Sequence, residues 1–430
     1  MLDIKFIREN PEKVKQNILN RRVDVAKADV DKLLLLDARK VQLTQEVEKL
    51  RSLRNVLAEE LKDASKRTLQ KTEEGKKIKD GIEVLEKELA EVTIEWQKIM
   101  DWMPNLSSPL MPIGESPADN LEFKTWPEKK PRPQFSFIPK HYHDLMMDLD
   151  LVDMERAAKT AGSRFYYLKN EAVLLQFALF NHALKKLVLR GFIPIITPDL
   201  VKYRPLYGTG YFPSKSSQIY KMHDEEKLEE KEALYLVGTS EQAIISYHAD
   251  ETIKIADDRP LRYVGYSECF RSEAGSWGKD TKGIKRVHQF AKVEMVYFTT
   301  AETSERYMQE ALAIEEEILQ DLELPYHVID MCTGEVGMAT YRKFDVEVWL
   351  PSAGEYMEVM SNSDLGSYHS RRLNIKDQNK NYVHTISATG ITNTRPIAAI
   401  VDNYQNSDGS VNVPKILQDY VGKKVLTGPC

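Results

Sequence analysis

Apolar positions fall into two patterns along this chain, and the change from one to the other divides it. From Val30 to Leu61 they recur at Leu33, Leu36, Leu43, Val47, Leu50, Leu57 and Leu61, an alternating three-four spacing with Lys40 and Arg54 at the two lapses. From Ile78 the spacing runs unbroken through Ile82, Leu85, Leu89, Val92, Trp96 and Ile99. Heptads sustained this long predict a coiled coil rather than helices of a globular core. The polar stretch Lys62–Lys77, with Gly75 near its end, predicts that the two helices fold back as an antiparallel pair. Each would extend about 45–50 Å at ~1.5 Å per residue, too long for a compact domain, so the pair is expected to project as an arm. Ahead of it, Asn10 and Pro11 open a short helix with Val14 and Ile18 on one face.

Beyond Trp102 the texture changes. Pro104, Pro109, Pro112, Pro117, Pro127, Pro131, Pro133 and Pro139 keep the chain extended and read as a linker. Glu171–Arg190 is a long, strongly apolar helix ended by Gly191, followed by the strand 192–198. That strand contains Pro194 and ends at Pro198, which puts it at a sheet edge or an interface. The helix then packs either on a second subunit or in an ordinary core. Period-two alternation returns in 234–241, around Tyr266 and Met295, in 341–350, in 355–361 and in 385–396. Strands in succession, with helices between and no βαβ cadence, predict an α+β domain on an antiparallel sheet.

The chemistry sits in the hairpin Tyr266–Met295. An alternating hairpin brings Arg271 and Glu273 from one strand and Phe290, Lys292 and Glu294 from the other into shared space, around a turn-rich loop, Gly275–Gly283. An arginine, an aromatic plane and carboxylates can hold a nucleotide beside a cationic amine; they can equally be a salt-bridged surface hairpin. His288 has no partner histidine, and Ser272 and Ser276 lack a nucleophile's turn. No Walker loop, Gly-x-Gly-x-x-Gly or His-Glu-x-x-His occurs. What remains favours electrostatic positioning over covalent chemistry.

Composition narrows the setting. The 430 residues carry a net charge of -6, which argues against non-specific coating of nucleic acid and leaves room for one basic face. Arg51, Arg54, Lys62, Lys66 and Arg67 gather toward the tip of the arm among interleaved carboxylates. They read as a solvated helical hairpin or as a reader of phosphate backbone. The 3 cysteines are far apart, which supports no disulfide framework and no zinc site. A charged N-terminus, and no apolar stretch near the roughly 20 residues of a membrane span, point to a cytoplasmic protein.

In motifs taken in order, the chain resembles the seryl-tRNA synthetases, which are class II aminoacyl-tRNA synthetases. The segment Cys269-Phe-Arg-Ser-Glu-Ala-Gly-Ser…His288-Gln-Phe-Ala-Lys-Val-Glu resembles motif 2 in its seryl form. Residues 191–198 resemble motif 1, 394–405 resemble motif 3, and Thr239-Ser240-Glu241 resembles the serine loop. The stretches beginning Cys332-Thr-Gly-Glu and Phe344-Asp-Val-Glu also match. The resemblance implies a tRNA-binding domain over 1–103 with the arm at about 30–102, a linker over 104–139 and a catalytic domain over 140–430. It implies a homodimer that uses ATP and Mg²⁺ to load L-serine onto tRNA(Ser), held by its long variable arm and its acceptor end, and also onto tRNA(Sec).

By the same resemblance Arg271 and Arg395 are catalytic, with Ser272, Glu273, Val287, Phe290, Glu358, Val359, Met360 and Ser361 around ATP. Glu358 and Ser361 would hold Mg²⁺. Thr239, Ser240, Glu241, Arg271, Glu294 and Thr389 would hold serine, and Arg51, Arg54, Lys62, Lys66 and Arg67 would meet the tRNA. The chain departs from the family pattern at Ser387-Ala388-Thr389, where Asn-Gly-Ser/Thr is common, and at Thr394 and Pro396 beside Arg395.

Overall fold

The computed structural model describes residues 1–63, 65, 67–128, 135–223, 232–256, 259–274 and 283–428. They divide into two compact units, Met1–Pro104 and Asn105–Cys430.

In the first unit α1 (Ile4–Glu9) and α2 (Pro11–Asn20) precede two long helices, α3 (Val30–Glu60) and α4 (Leu69–Asp101). Asp3 caps α1, whereas Asn10 stands at the N-cap of α2 without a capping side-chain bond, its amide donating back to Phe6 O. The antiparallel pair forms as the heptads predict, but its turn is shorter. The Thr68 hydroxyl accepts from Lys71 N and starts α4 at Leu69, so Gly75 lies inside the helix. A Cβ at Gly75 would stand 3.5 Å from Leu57, and one at Gly81 3.3 Å from Leu50; the small residues let the helices approach. Lys40, at a lapse in the heptad, lays its ammonium 4.1 Å from the Trp96 ring centroid. Asp37 is buried in the seam, where Trp96 Nε1 donates to it at 3.1 Å and Arg8 pairs with it at 2.5 Å.

The second unit is built on eight strands: β1 (Leu121–Trp126), β2 (Ile193–Ile196), β3 (Leu261–Phe270), β4 (Gln289–Thr299), β5 (Tyr326–Asp330), β6 (Arg342–Leu350), β7 (Glu355–Asp364) and β8 (His384–Thr392). Their spatial order is β1-β5-β6-β7-β8-β4-β3-β2, antiparallel except for the edge pair β3–β2. The proline-rich stretch is extended, as its prolines dictate, yet it supplies the edge strand β1 rather than only a linker. The proline-bearing β2 takes the other edge, where a missing N–H leaves no ladder bond unmade.

Helices α5 (Glu171–Leu189), α6 (Glu241–Tyr247), α7 (Ser304–Asp321), α8 (Tyr368–Leu373) and α9 (Thr394–Asn403) surround the sheet. Contrary to the sequence expectation, α5 is long and apolar enough to cross a bilayer by length and composition. Its Leu175, Leu179, Ala183 and Leu187 stripe is buried in the main core, while Leu174, Phe177, Val188 and Leu189 remain exposed. Ile193 and Ile196 of β2 are exposed as well.

His327 on β5 ties the edge strand to the sheet. Its Nδ1 meets Glu122 Oε2 at 2.9 Å on β1, its Nε2 meets Glu347 Oε2 at 2.7 Å on β6, and its ring stacks 3.5 Å from that of Tyr356. Burial alone would lower its pKa, but the two carboxylates outweigh burial and raise it above the ordinary 6.5. A raised folded-state pKa stabilises fully below 6.5 and fades as pH climbs through the folded value. Protection of Leu121–Trp126 from hydrogen exchange is therefore expected to fall as pH rises past neutrality, after correction for intrinsic exchange. His327→Phe should flatten that profile; an unchanged profile would exclude the imidazole as its source.

Candidate active site

Period-two alternation in β4 builds the site. Ala291, Val293, Met295 and Tyr297 enter the main core, while Phe290, Lys292 and Glu294 face the other way into the site. Further along that second face Val296 and Phe298 enter a separate small core with Ile244 and Ile245 of α6. One strand thus carries two dry faces and a charged patch. Opposite it, β3 ends at Phe270, so Arg271 and Glu273 lie just past the strand, not within it. Arg271 N donates to His288 O and His288 Nδ1 meets Arg271 O, each at 2.9 Å, which gives His288 a structural task. The Arg271 guanidinium lies 5.2 Å from the Phe290 ring centroid and reaches Gly238 O at 3.4 Å. Glu273, in a left-handed conformation with φ of 50°, pairs with Arg286 at 2.7 Å.

Two β-bulges then allow residues three apart to share a face. The β6–β7 register slips at Val346/Glu347, so that Glu358 and Ser361 of β7 both line the cavity. The β8–β4 register slips at Thr389/Ile391, so that Thr389 and Thr392 do likewise. Gly390 is the extra residue, and a Cβ there would stand 3.0 Å from Val293 Cγ1. Arg395, in the first turn of α9, donates to Glu358 O at 2.9 Å, to Glu358 Oε2 at 3.1 Å and to Lys285 O at 3.1 Å. Burial works against the ionised Glu358, but the charges of Arg395 and Lys343 hold its pKa down to about 2.

The result is two joined chambers. The first is lined by Arg271, Glu273, Lys285, Arg286, Val287, Phe290, Val359, Met360, Thr389 and Arg395. The second is lined by Tyr211, Lys215, Thr239, Glu241, Glu294, Lys343 and Ser387. Arg271, Lys292, Glu358 and Ser361 line both and form the seam between them. The first chamber suits a flat ring and a polyanion; the second, with two carboxylates at its floor, suits a small ammonium compound. Burial, and then the nearby Glu294, push Glu241 up to about 7. Burial, with Arg271 and Lys343, brings Lys215 down to about 8.

Of the expected residues, Ser240 and Ser272 line neither chamber. Ser240 is buried with its hydroxyl on Gly265 O, and the Ser272 hydroxyl donates to Ser217 O at 2.6 Å. Thr389 lines the first chamber rather than the second; its hydroxyl accepts from Ser361 N and its own N–H donates to buried Glu315 at 3.1 Å. Residues 275–282 of the hairpin loop lie outside the described residues, and so does Lys66 of the arm. Among the other arm residues, Arg51 pairs with Glu86 at 2.8 Å, Lys62 with Glu59 at 2.6 Å, and Arg67 Nε donates to Leu61 O. Arg54 is exposed.

Sequence reasoning missed Ser387, Lys215 and Lys343. Ser387 was within reach, since it stands two residues from Thr389 and so on the same strand face. Lys215 comes from an irregular segment with no period to reveal it.

Residues 1–107 match the family described as seryl-tRNA synthetase N-terminal domain. Residues 220–404 match the tRNA synthetase class II core domain (G, H, P, S and T). The chain is 42% identical over 428 residues to the serine–tRNA ligase of Dictyoglomus turgidum, covering 98% of each. With that of Treponema denticola it shares 42% identity, over 98% of this chain and 99% of the relative. The crystal structure of seryl-tRNA synthetase from Pyrococcus horikoshii complexed with ATP matches all of both chains with a TM-score of 0.90 at 37% identity. The cytoplasmic enzyme of Naegleria fowleri in complex with AMP matches with a TM-score of 0.86 at 28% identity, over 100% of this chain and 99% of that one. Charged side chains facing one way from two strands, and a coiled-coil unit ahead of them, therefore have full-length counterparts: this chain belongs to the seryl-tRNA synthetase family of class II aminoacyl-tRNA synthetases.

Proposed function

We propose that the first chamber takes ATP and the second L-serine, and that their shared seam is where the two react, as a serine–tRNA ligase requires. The observation that carries this reading is that Arg271, Lys292, Glu358 and Ser361 line both chambers. Phe290 stacks on the adenine, with Glu273 and Val287 at its edge, and Arg395 holds the triphosphate tail. Arg271 bridges the α-phosphate and the serine carboxylate. In the first step a carboxylate oxygen of serine attacks the α-phosphorus in line, the bond to the pyrophosphate oxygen breaks, and seryl-adenylate remains. In the second the terminal ribose hydroxyl of tRNA attacks the acyl carbon and AMP leaves. The chain contributes position and fixed positive charge, the main needs of phosphoryl transfer.

Glu358, ionised and partly open to the cavity beside Ser361, would with Ser361 hold the Mg²⁺ that accompanies ATP. Such an ion neutralises phosphate charge when bound. Glu241, Glu294 and Thr239 receive the serine ammonium and hydroxyl, with Thr389 near the seam. Alanine would leave those buried polar groups unpaired, a larger loss than a missing contact.

The coiled-coil arm supplies the tRNA grip. Arg54 is open to a phosphate, while Arg51 and Lys62 would exchange a carboxylate partner for one, so charging should weaken with added salt. Exposed Leu174, Phe177 and Leu189 of α5 and Ile196 of the edge strand β2 suit a second copy of the chain as a homodimer interface.

Serine-dependent pyrophosphate exchange tests the central claim: Arg271→Ala should lower it at least ~10²–10³-fold, as loss of a charge-stabilising donor does. Exchange near the wild-type rate in a folded R271A protein would refute the assignment. Deleting Lys40–Ile94 is expected to leave exchange nearly intact while tRNA charging disappears. Ile196→Glu should turn a dimer into a monomer by light scattering at micromolar concentration; a wild-type mass for I196E would move the interface elsewhere.

A further inference from the structure

Ser387 holds a position between two carboxylates that constrains where the protons are. Its Oγ lies 3.0 Å from Glu241 Oε2 and 2.5 Å from Glu294 Oε1. A hydroxyl carries one hydrogen and an ionised carboxylate none. Two contacts of hydrogen-bond length at one Oγ between two carboxyl groups therefore need a second hydrogen, and one of those carboxyls must carry it.

The surroundings decide which. Glu294 is in contact through its other oxygen with the buried Lys292 ammonium, so the second hydrogen belongs on the other carboxyl. Among the described residues, the basic contact of Glu241 within ion-pair reach is the imidazole of His369 on α8, at 3.7 Å. That ring is buried and driven down to about 3, first by desolvation, so it is neutral and offers no positive charge. Among the described residues, the other titratable groups lining the chamber with Glu241 are Tyr211 and Lys215 from the segment after Gly210, Arg271 beyond β3, Lys292 and Glu294 from β4, Glu335, Lys343 from β6 and Glu358 from β7. Burial and Glu294 favour its neutral form more than Lys292 and Lys215 oppose it.

We propose that Ser387 makes Glu241 and Glu294 a pair that shares one proton before substrate binds and releases it to solvent when the ammonium of the amino acid enters. The Glu241 O–H bond breaks, its electron pair stays on the carboxylate, and the arriving N–H groups replace the lost hydrogen as donors. Each serine bound as the ammonium zwitterion thus frees one proton, and affinity for the amino acid rises with pH until the pair is fully ionised. The side chain at 387 sets this behaviour, because an amide there would bring two N–H donors and satisfy both carboxylates without a stored proton. The proposal rests on the reading that the second chamber takes serine.

Calorimetric titration of the full chain with L-serine, in two buffers of different ionisation enthalpy, counts the protons released. Folded protein should release about 0.9 proton per serine near pH 6 and under about 0.1 near pH 8.5, as a group titrating around 7 requires. Ser387→Asn should cut the release near pH 6 at least threefold, and Glu241→Gln, whose amide gives Ser387 a permanent donor, should abolish it while weakening binding. Wild-type protein that binds serine without proton release would overturn the proposal. So would an S387N protein releasing as many protons as wild type. Absence of any serine binding in protein with an unaltered melting temperature would instead remove the chamber assignment on which the proposal stands.

Discussion

The whole site depends on one geometric constraint: a β-strand sends successive side chains to opposite faces. In β4 that rule lets Ala291, Val293, Met295 and Tyr297 fill the main core while Phe290, at the core's margin, Lys292 and Glu294 line the site. The core then fixes the charges. A shift of one residue in the β4 register would put the charged Lys292 and Glu294 into the core and apolar residues into the site, so burial itself holds the register. Both bulges extend this arrangement. They let Glu358 with Ser361, and Thr389 with Thr392, face the same cavity, which unbroken alternation forbids.

Placing charge on a half-buried floor has a cost that the site distributes unevenly. Positive groups collect around Glu358, which Arg395, Lys343 and Arg271 hold ionised against its burial. The second chamber lacks enough of them, and so Glu241 is pushed toward neutrality, as is the buried Glu315 that accepts from Thr389 N, first by burial and then by Glu294. Such a site is complete only when an outside cation arrives, which is one physical basis for selecting an ammonium compound. Preorganised dipoles and charges of this kind need no rearrangement as a reaction proceeds, which suits phosphoryl transfer.

The N-terminal unit works under a different constraint. Its α3–α4 pair has a narrow seam closed by leucines, with small residues at Gly75 and Gly81 and a cation on Trp96 where the heptad lapses. Most of its charge is exposed and arranged in pairs such as Arg39–Glu88 and Arg51–Glu86. Exposed pairs of this sort contribute little stability, about 0–1 kcal/mol each. They can therefore be exchanged for phosphate contacts at small cost to the fold.

By itself the sequence determined the local elements with strong periods: the heptads of α3 and α4, the apolar α5 ending at Gly191, and the alternation of β3, β4, β6, β7 and β8. It also singled out Arg271, Phe290, Lys292 and Glu294 as neighbours, because alternation on two adjoining strands is a local rule. It did not reveal that the proline-rich stretch supplies β1, since strand pairing with β5 spans about two hundred residues and leaves no local trace. Neither did it reveal the bulges, the upward push on the Glu241 pKa or the place of Ser387, Lys215 and Lys343. Those depend on which strands lie side by side and on how much water is excluded between them. Only the tertiary structure sets both, because register and desolvation are properties of assembled elements and not of any one segment.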